Sequence, residues 1–142
     1  MKILLPFDDT PAARAAVNHA LALRRAGLKA SFVLVNVQPP PTLYEVVVAH
    51  DPAVLDEVRR AAGADLLANA EAMLAGSGAE WETEVAGGQP ETALVDLAEN
   101  YGCHAIVMGA GEVGPHALGP VALAVLTHSP VPVTLVRKAS ID

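Results

Sequence analysis

The sequence contains a single cysteine, Cys103, and few aromatic residues: two phenylalanines, two tyrosines and one tryptophan among 142 residues. One cysteine excludes an internal disulfide and a thiolate metal site, and such scarcity is typical of a reducing compartment. We therefore expect a cytoplasmic protein whose stability depends on a hydrophobic core. Cys103 itself is expected to be a small, buried apolar residue.

Positive charge is also scarce. The nine lysines and arginines occur singly or in pairs, and the formal net charge is −7 at pH 7. Because no basic stripe exists that would neutralise a run of phosphates, nucleic acid is not an expected partner. The five histidines show no close metal-ligand spacing, so no metal site is predicted.

A long uncharged segment, Val113 to Val136, has the length at which a membrane span would be suspected. Four prolines and two histidines interrupt it, which argues against one continuous transmembrane helix. The apolar run at the N-terminus, Ile3 to Phe7, is too short for a signal peptide. We therefore expect no membrane partner.

Short apolar segments alternate with segments of helical periodicity along a chain that is 52% hydrophobic. The predicted strands are Ile3–Phe7, Ser31–Val37, Trp81–Val85, Ala105–Met108 and Val131–Val136. The predicted helices begin at Pro11, Pro52, Pro90 and Val121. The long second helix is marked by apolar residues at Leu55, Val58, Ala62, Leu66, Ala70 and Met73.

This alternation predicts an α/β fold: one domain over residues 1–142, with a doubly wound, five-stranded parallel sheet and helices on both faces. Trp81–Val85 alternates with glutamates, which is typical of an edge strand with one face in water. The strand order is then 3-2-1-4-5. Ligands bind such sheets at the switch point between the first and fourth strands, where Asp8–Thr10 and Gly109–Gly111 are expected to face each other.

Four glycines lie between residues 109 and 119, directly after the fourth predicted strand. Glycines let the backbone approach an anion, and the following helix offers unpaired N–H groups, so this pattern is typical of phosphate loops. The segment nevertheless contains Glu112 and no Lys, Arg, Ser or Thr. The alternative interpretation is a tight strand-to-helix turn that binds no ligand.

Four segments match a known family in their order and spacing: Ile3–Thr10, Gly88–Ala93, Ile106–Gly109 and Ser129–Arg137. Through them the chain resembles the universal stress proteins over nearly its whole length. The resemblance implies a small cytoplasmic α/β protein of the stress response, usually a homodimer. It also implies a protein that either binds an adenine nucleotide (ATP, ADP or AMP) or has lost that ability.

In nucleotide-binding members of this family the loop reads Gly, two residues, Gly, nine residues, Gly, then Ser or Thr. With Gly109 and Gly119 as the outer glycines, nine residues separate them here where the pattern has twelve. Pro120 occupies the hydroxyl position, so an O–H and a backbone N–H are both missing. A Glu112 carboxylate ~5 Å from a phosphate would add repulsion on the order of a few kcal/mol.

The adenosine end matches the family better. Asp8 occupies the acidic position after the first strand, and Val37 matches the residue that contacts the adenine in the family. His104 replaces an aspartate that is common in the family. The candidate nucleotide-binding residues are Asp8, Thr10, Val37, Gly109, Gly111 and Gly119. The resulting hypothesis is a weak or vestigial adenine-nucleotide site. The alternative interpretation of Asp8 is a loop or helix-end cap.

No catalytic residues are predicted, and we expect a protein that is not an enzyme. Asp8 and Asp9 are adjacent, so their side chains diverge, and no second carboxylate cluster follows. Ser129 beside His128 lacks a nucleophile elbow. A small ATP hydrolase that uses the crevice is therefore the least favoured hypothesis.

The last predicted strand, Val131–Val136, should lie at the second edge of the sheet, yet it is apolar. An exposed apolar edge favours pairing with another chain, so we predict a homodimer through this strand, with Pro132 limiting backbone pairing. Alternatively, a C-terminal segment or Tyr44–Val48 covers it. Tyr44–Val48 is itself readable as a lid, a turn of helix or a partner contact. The second functional hypothesis is a pure interaction module, in which the dimer surface performs the function and the glycine segment is only a turn.

Overall fold

The structure is a computed structural model that describes residues 1–48, 51–111 and 117–138. The elements in chain order are β1 (Lys2–Pro6), α1 (Pro11–Arg25), β2 (Ser31–Gln38), α2 (Leu43–Val48), α3 (Pro52–Leu74), β3 (Trp81–Gly87), α4 (Pro90–Asn100), β4 (Ala105–Gly109), α5 (Pro120–His128) and β5 (Val133–Val136).

All five strands pair in parallel, in the order β3-β2-β1-β4-β5, which confirms the predicted topology. The register of β1 against β2 runs from Lys2 opposite Ser31 to Pro6 opposite Val35. On its other side, β1 pairs with β4, where Ile3 lies opposite Ala105. The C-terminal end of β1 therefore lies between two neighbours whose crossovers run in opposite directions, which is the usual place for a ligand crevice.

Helices cover both faces of the sheet, as predicted. One buried cluster joins α1 and α3 to residues of β1 and β2 such as Leu5 and Leu34. The second joins α4 and α5 to the opposite face, at residues such as Leu4 and Ile106. The central strands are buried on both sides, which explains why they are apolar at consecutive positions.

In α3, the buried residues only partly coincide with the apolar residues that mark the helix in the sequence. Its buried residues are Gly63, Leu67, Ala70 and Leu74. Val58 is 60% exposed and Ala62 is also exposed. At Gly63 the helix lies close to the sheet, since a Cβ atom there would lie 2.5 Å from Cγ1 of Val85. A hydropathy pattern does not mark Gly63 as part of the buried face, because glycine carries no apolar side chain.

The edge strand β3 does not have one face entirely in water, contrary to the prediction. Thr83 is exposed, whereas Glu84 is partly buried. The hydroxyl of Tyr101 at the end of α4 donates a 2.6 Å hydrogen bond to Oε1 of Glu84. This bond to a carboxylate is the main reason that the pKa of Tyr101 rises to about 12.

At the other edge, β5 begins at Val133, two residues later than predicted. Pro132 precedes the strand and has no N–H for the ladder, although its carbonyl accepts a 2.9 Å hydrogen bond from Ile106.

Of the interpretations left open for Tyr44–Val48, the structure gives a turn of helix, α2, with no buried residue. No helix within the described residues is long and apolar enough to cross a membrane.

Candidate functional site

A crevice of about 410 Å³ opens at the carboxyl ends of β1, β2 and β4. Its volume falls within the range of roughly 300–1,000 Å³ that is usual for small-molecule sites. All six candidate residues from the sequence lie along its walls, and these are Asp8, Thr10, Val37, Gly109, Gly111 and Gly119. The structure therefore brings the candidates together, and their role in binding stays a prediction.

The loop between β1 and α1 forms one wall. Oδ1 of Asp8 accepts hydrogen bonds from the Thr10 hydroxyl at 2.7 Å and from the Thr10 backbone N–H at 3.2 Å. The Thr10 Oγ1 atom in turn accepts the N–H of Ala13 at 3.2 Å, and thus caps α1. Pro11 occupies the first helical position, where its missing N–H costs nothing. The cap and the exposed carboxylate are therefore parts of one hydrogen-bonded turn.

Asn36, in β2, is a polar residue of this crevice that the sequence analysis did not identify. It is 4% exposed, and its Nδ2 donates a 2.8 Å hydrogen bond to the carbonyl of Phe7. Its Oδ1 accepts a 2.7 Å bond from Nε2 of Gln38. The Phe7 carbonyl lies directly before Asp8, so Asn36 braces the end of β1 beside Val37. The sequence feature that could have identified Asn36 is its position as a polar residue inside an otherwise apolar strand.

Gly109 lies where β4 meets the first turn of α1. A Cβ atom here would lie 2.9 Å from both the carbonyl carbon and the Cβ of Ala12. These distances are too short for real Cβ contacts, so the close approach of α1 to the floor of the crevice requires glycine. Gly109 thus has a packing role whether or not a ligand binds.

Gly111 and Gly119 touch each other at the base of the following loop. Gly111 has a φ of +89°, and a Cβ atom on it would lie 2.6 Å from Cα of Gly119. The N–H of Gly119 donates a 2.8 Å hydrogen bond to the carbonyl of Ala110. This donor is therefore already used. The predicted repulsion by Glu112 concerns a residue that lies outside the described part of the chain.

At the start of α5, the crevice offers few groups for a phosphate. The N-cap is Gly119, which makes no side-chain cap hydrogen bond, and Pro120 follows it. Helix geometry leaves the N–H groups of Val121 and Ala122, which both line the crevice, without an intrahelical acceptor. Among the described residues that line the crevice, Asp8 is the one charged residue, and none is Lys or Arg.

The other residues considered from the sequence lie away from the crevice. Cys103 is buried as expected, and burial raises the pKa of its thiol. His104 pairs with Lys2 at the amino end of β1: its Nδ1 accepts the Lys2 N–H at 3.0 Å, and its N–H donates to the Lys2 carbonyl at 2.7 Å. In the described part of the chain, no group of three or more His, Cys, Asp or Glu side chains could hold a metal ion.

Comparison with solved structures gives the same fold at low identity. The hypothetical protein MJ0577 matches with a TM-score of 0.80 and 24% identity, over 99% of this chain and 97% of that chain. A universal stress protein in complex with cAMP matches with a TM-score of 0.71 and 22% identity, over 98% of both chains. A universal stress protein family protein from Arabidopsis thaliana with AMP bound matches with a TM-score of 0.72 and 17% identity, over 99% and 93%.

No curated protein sequence matches the chain. The sequence model of the Universal stress protein family, in contrast, matches residues 1–137. This match covers the β1–α1 turn, the glycine segment and the last strand. The chain therefore belongs to the universal stress protein family.

Proposed function

We propose that this protein is a cytoplasmic stress-response regulator that binds the adenosine part of an adenine nucleotide in the crevice and acts by binding rather than by turnover. The observation that carries the proposal is the gathering of all six candidate residues along one crevice. Relatives of the same fold are in complex with cAMP and with AMP, which supports an adenine nucleotide as the ligand.

The two ends of the crevice differ in what they offer. At the β1–β2 end, Asp8 presents a carboxylate for ribose or base N–H and O–H groups, and Val37 presents an apolar surface for a ring. At the β4–α5 end, the Gly119 N–H is bonded to Ala110, Pro120 has no N–H, and no described lining residue is cationic, so the N–H groups of Val121 and Ala122 are the donors left for a phosphate. Added phosphates therefore gain little, and we expect AMP and ATP to bind with affinities within about threefold of each other.

Calorimetry with adenosine, AMP, ADP and ATP at millimolar concentration, with and without Mg²⁺, tests this function. Binding should be measurable for adenosine and AMP, and Asp8→Ala should weaken it by about tenfold. Asp96→Ala is the control, because Asp96 is an exposed carboxylate on α4 that does not line the crevice. No heat and no change in melting temperature with any of these compounds would contradict the proposal.

A gain-of-function variant tests the β4–α5 end of the crevice, where the phosphates of a bound nucleotide would lie. Pro120→Ser returns an N–H and a hydroxyl to the first turn of α5, next to the N–H groups of Val121 and Ala122. Because hydrogen bonds to charged groups are worth roughly 1.5–3 kcal/mol, affinity for ATP relative to AMP should rise about tenfold. An unchanged ratio would show that the missing donors do not limit phosphate binding.

A homodimer through the edge strand β5 is the second candidate function, in which the protein acts as an interaction module. Within the described residues, β5 pairs with β4 alone, and its residue Thr134 is exposed. Val133→Glu and the milder Thr134→Lys should both convert a dimer into a monomer, because charge on an edge blocks pairing. Light scattering measures the mass, and a monomeric wild-type protein would refute the dimer.

ATP hydrolysis is the weakest of the three hypotheses. The described lining residues include no Lys, Arg or His that would stabilise charge on a leaving phosphate. We therefore expect no release of phosphate from ATP. Hydrolysis that is detectable in the wild-type protein and abolished in Asp8→Ala would overturn this expectation.

A further inference from the structure

Asp9, the residue after Asp8, has an unusual backbone conformation. Among the described residues it is the one non-glycine residue with a positive φ, at +63°. L residues rarely adopt this left-handed conformation, and aspartate is one of the few types that tolerate it. Such a conformation persists where the surrounding structure holds it in place.

Side chains from two helices hold the carboxylate of Asp9. Its Oδ1 forms an ion pair with Arg14 in α1, 2.6 Å from Nη2, without hydrogen-bond geometry. Its Oδ2 accepts a 2.8 Å hydrogen bond from Nδ2 of Asn69 in α3. Asp9 does not line the crevice. Its carboxylate therefore joins the β1–α1 turn to α1 and α3 instead of meeting a ligand.

The conformation of Asp9 also determines how its two neighbours lie relative to each other. The hydrogen bonds from Thr10 to Oδ1 of Asp8 span Asp9. A rotation of Asp9 to the ordinary negative φ would move Thr10 away from Asp8 and break both bonds. The direction of the Asp8 carboxylate in the crevice thus depends on the turn at Asp9.

We propose that Asp9 is a positioning residue of the crevice: its bridge to Arg14 and Asn69 maintains the left-handed turn that aims the Asp8 carboxylate at the ligand. This inference rests on the proposed function, because it concerns the same site. If Asp9 were only a structural contact, its loss would lower stability and leave ligand affinity unchanged. If Asp9 positions Asp8, replacing Asp9 should lower ligand affinity by more than the loss of stability accounts for.

Three variants test the proposal by calorimetry with AMP. Asp9→Ala removes both contacts and disfavours the positive φ, so affinity should fall at least about tenfold. Asn69→Ala removes the contact with α3 alone and should reduce affinity in the same direction by less. Asp9→Asn tolerates the left-handed turn and keeps an oxygen acceptor, so affinity should stay within about threefold of the wild type.

Asp51→Ala is the matched control. Asp51 caps α3 by accepting the N–H of Ala53 at 2.9 Å, and it does not line the crevice. Its loss should lower the melting temperature without changing AMP affinity. The proposal is overturned if Asp9→Ala binds AMP as tightly as the wild type. It is also overturned if Asp51→Ala weakens binding as much at an equal loss of melting temperature.

The backbone amide of Thr10 provides a readout that needs no ligand. Its N–H is bonded to Asp8, so Asp9→Ala should accelerate its hydrogen exchange by about tenfold, while Asp9→Asn should not. If the wild-type protein binds no AMP, the proposed function fails, and the Thr10 amide alone then decides whether Asp9 sets the turn. Unchanged exchange in Asp9→Ala would overturn the inference.

Discussion

Replacing Gly111 by alanine tests whether the two ends of the loop after β4 touch. The new Cβ would lie 2.6 Å from Cα and 2.7 Å from N of Gly119. Ordinary contacts between carbon atoms are about 3.5–4.0 Å. The neighbouring atoms belong to the backbone, so no side-chain rotation relieves the overlap. The φ of +89° at Gly111 is a second and separate obstacle to alanine.

The expected loss of stability has two parts. A left-handed backbone costs alanine roughly 1–2 kcal/mol relative to glycine. Overlap in a close-packed region adds about 1–3 kcal/mol. Together they lower the free energy of unfolding by about 2–5 kcal/mol. For a protein of this size, 1 kcal/mol corresponds to about 3 °C, so the melting temperature should fall by roughly 6–15 °C.

Substitutions at two other glycines allow the backbone and overlap contributions to be measured separately. Gly88 has a φ of +123° and nothing within 4 Å of a new Cβ, so Gly88→Ala should lose only the backbone part, about 1–2 kcal/mol. Gly87 also has open space and no positive φ, so Gly87→Ala should change little. Urea unfolding followed by circular dichroism gives the free energies, provided that the m-value is constant. Gly111→Ala no less stable than Gly88→Ala would refute the contact with Gly119.

Three further predictions concern the fold around the crevice. Gly63→Ala should destabilise by about 1–2 kcal/mol despite better helix propensity, because its Cβ would meet Val85. Combining it with Val85→Ala should recover part of this loss in a double-mutant cycle of urea unfolding, because Oδ1 of Asn36 would still lie 2.9 Å from the new Cβ. Additive effects would contradict the contact with Val85. His104→Ala should cost about 1 kcal/mol of unfolding free energy, because the Lys2 N–H loses its acceptor, whereas His104→Asp keeps one. Equal losses in the two variants would contradict this role. Because the pKa of Tyr101 is raised from 10.0 to about 12, its stabilising effect is complete below pH 10 and is lost as pH rises to about 12. The difference in melting temperature between wild type and Tyr101→Phe should therefore shrink across that range, and a constant difference would contradict the bond to Glu84.

The location of the crevice was predictable because it follows from topology. The pattern of glutamates beside Trp81 gave one edge of the sheet, and the alternation of strands and helices gave the crossovers. Once the order of strands is known, the carboxyl ends of β1 and β4 must adjoin, whatever their side chains do. Asp8 and Gly109 could therefore be assigned to the same crevice without knowledge of any contact.

Contacts between polar residues far apart in the sequence were not predictable. Asn69 binds Asp9 across 60 positions. Asn36 lies in a strand whose apolar pattern carries no information about the carbonyl that it meets. Hydropathy does not identify Gly63 as a contact of α3 with the sheet, yet a Cβ atom there would lie 2.5 Å from Cγ1 of Val85. In each case the missing information is the relative placement of two elements, which periodicity within one element does not contain.

The two ends of the crevice differ in the hydrogen-bonding groups that they offer, and this difference would determine which nucleotides the protein distinguishes. At the β1–β2 end, where we propose that adenosine binds, short hydrogen bonds hold the turn at Asp8 and the side-chain amide of Asn36. At the phosphate end, the contact between Gly111 and Gly119 and the proline that follows leave few donors. A ligand can shift a protein between states only through differential affinity. Under the proposed function, AMP, ADP and ATP would then act alike, so the protein would respond to the total adenine nucleotide concentration and not to the ratio of ATP to AMP.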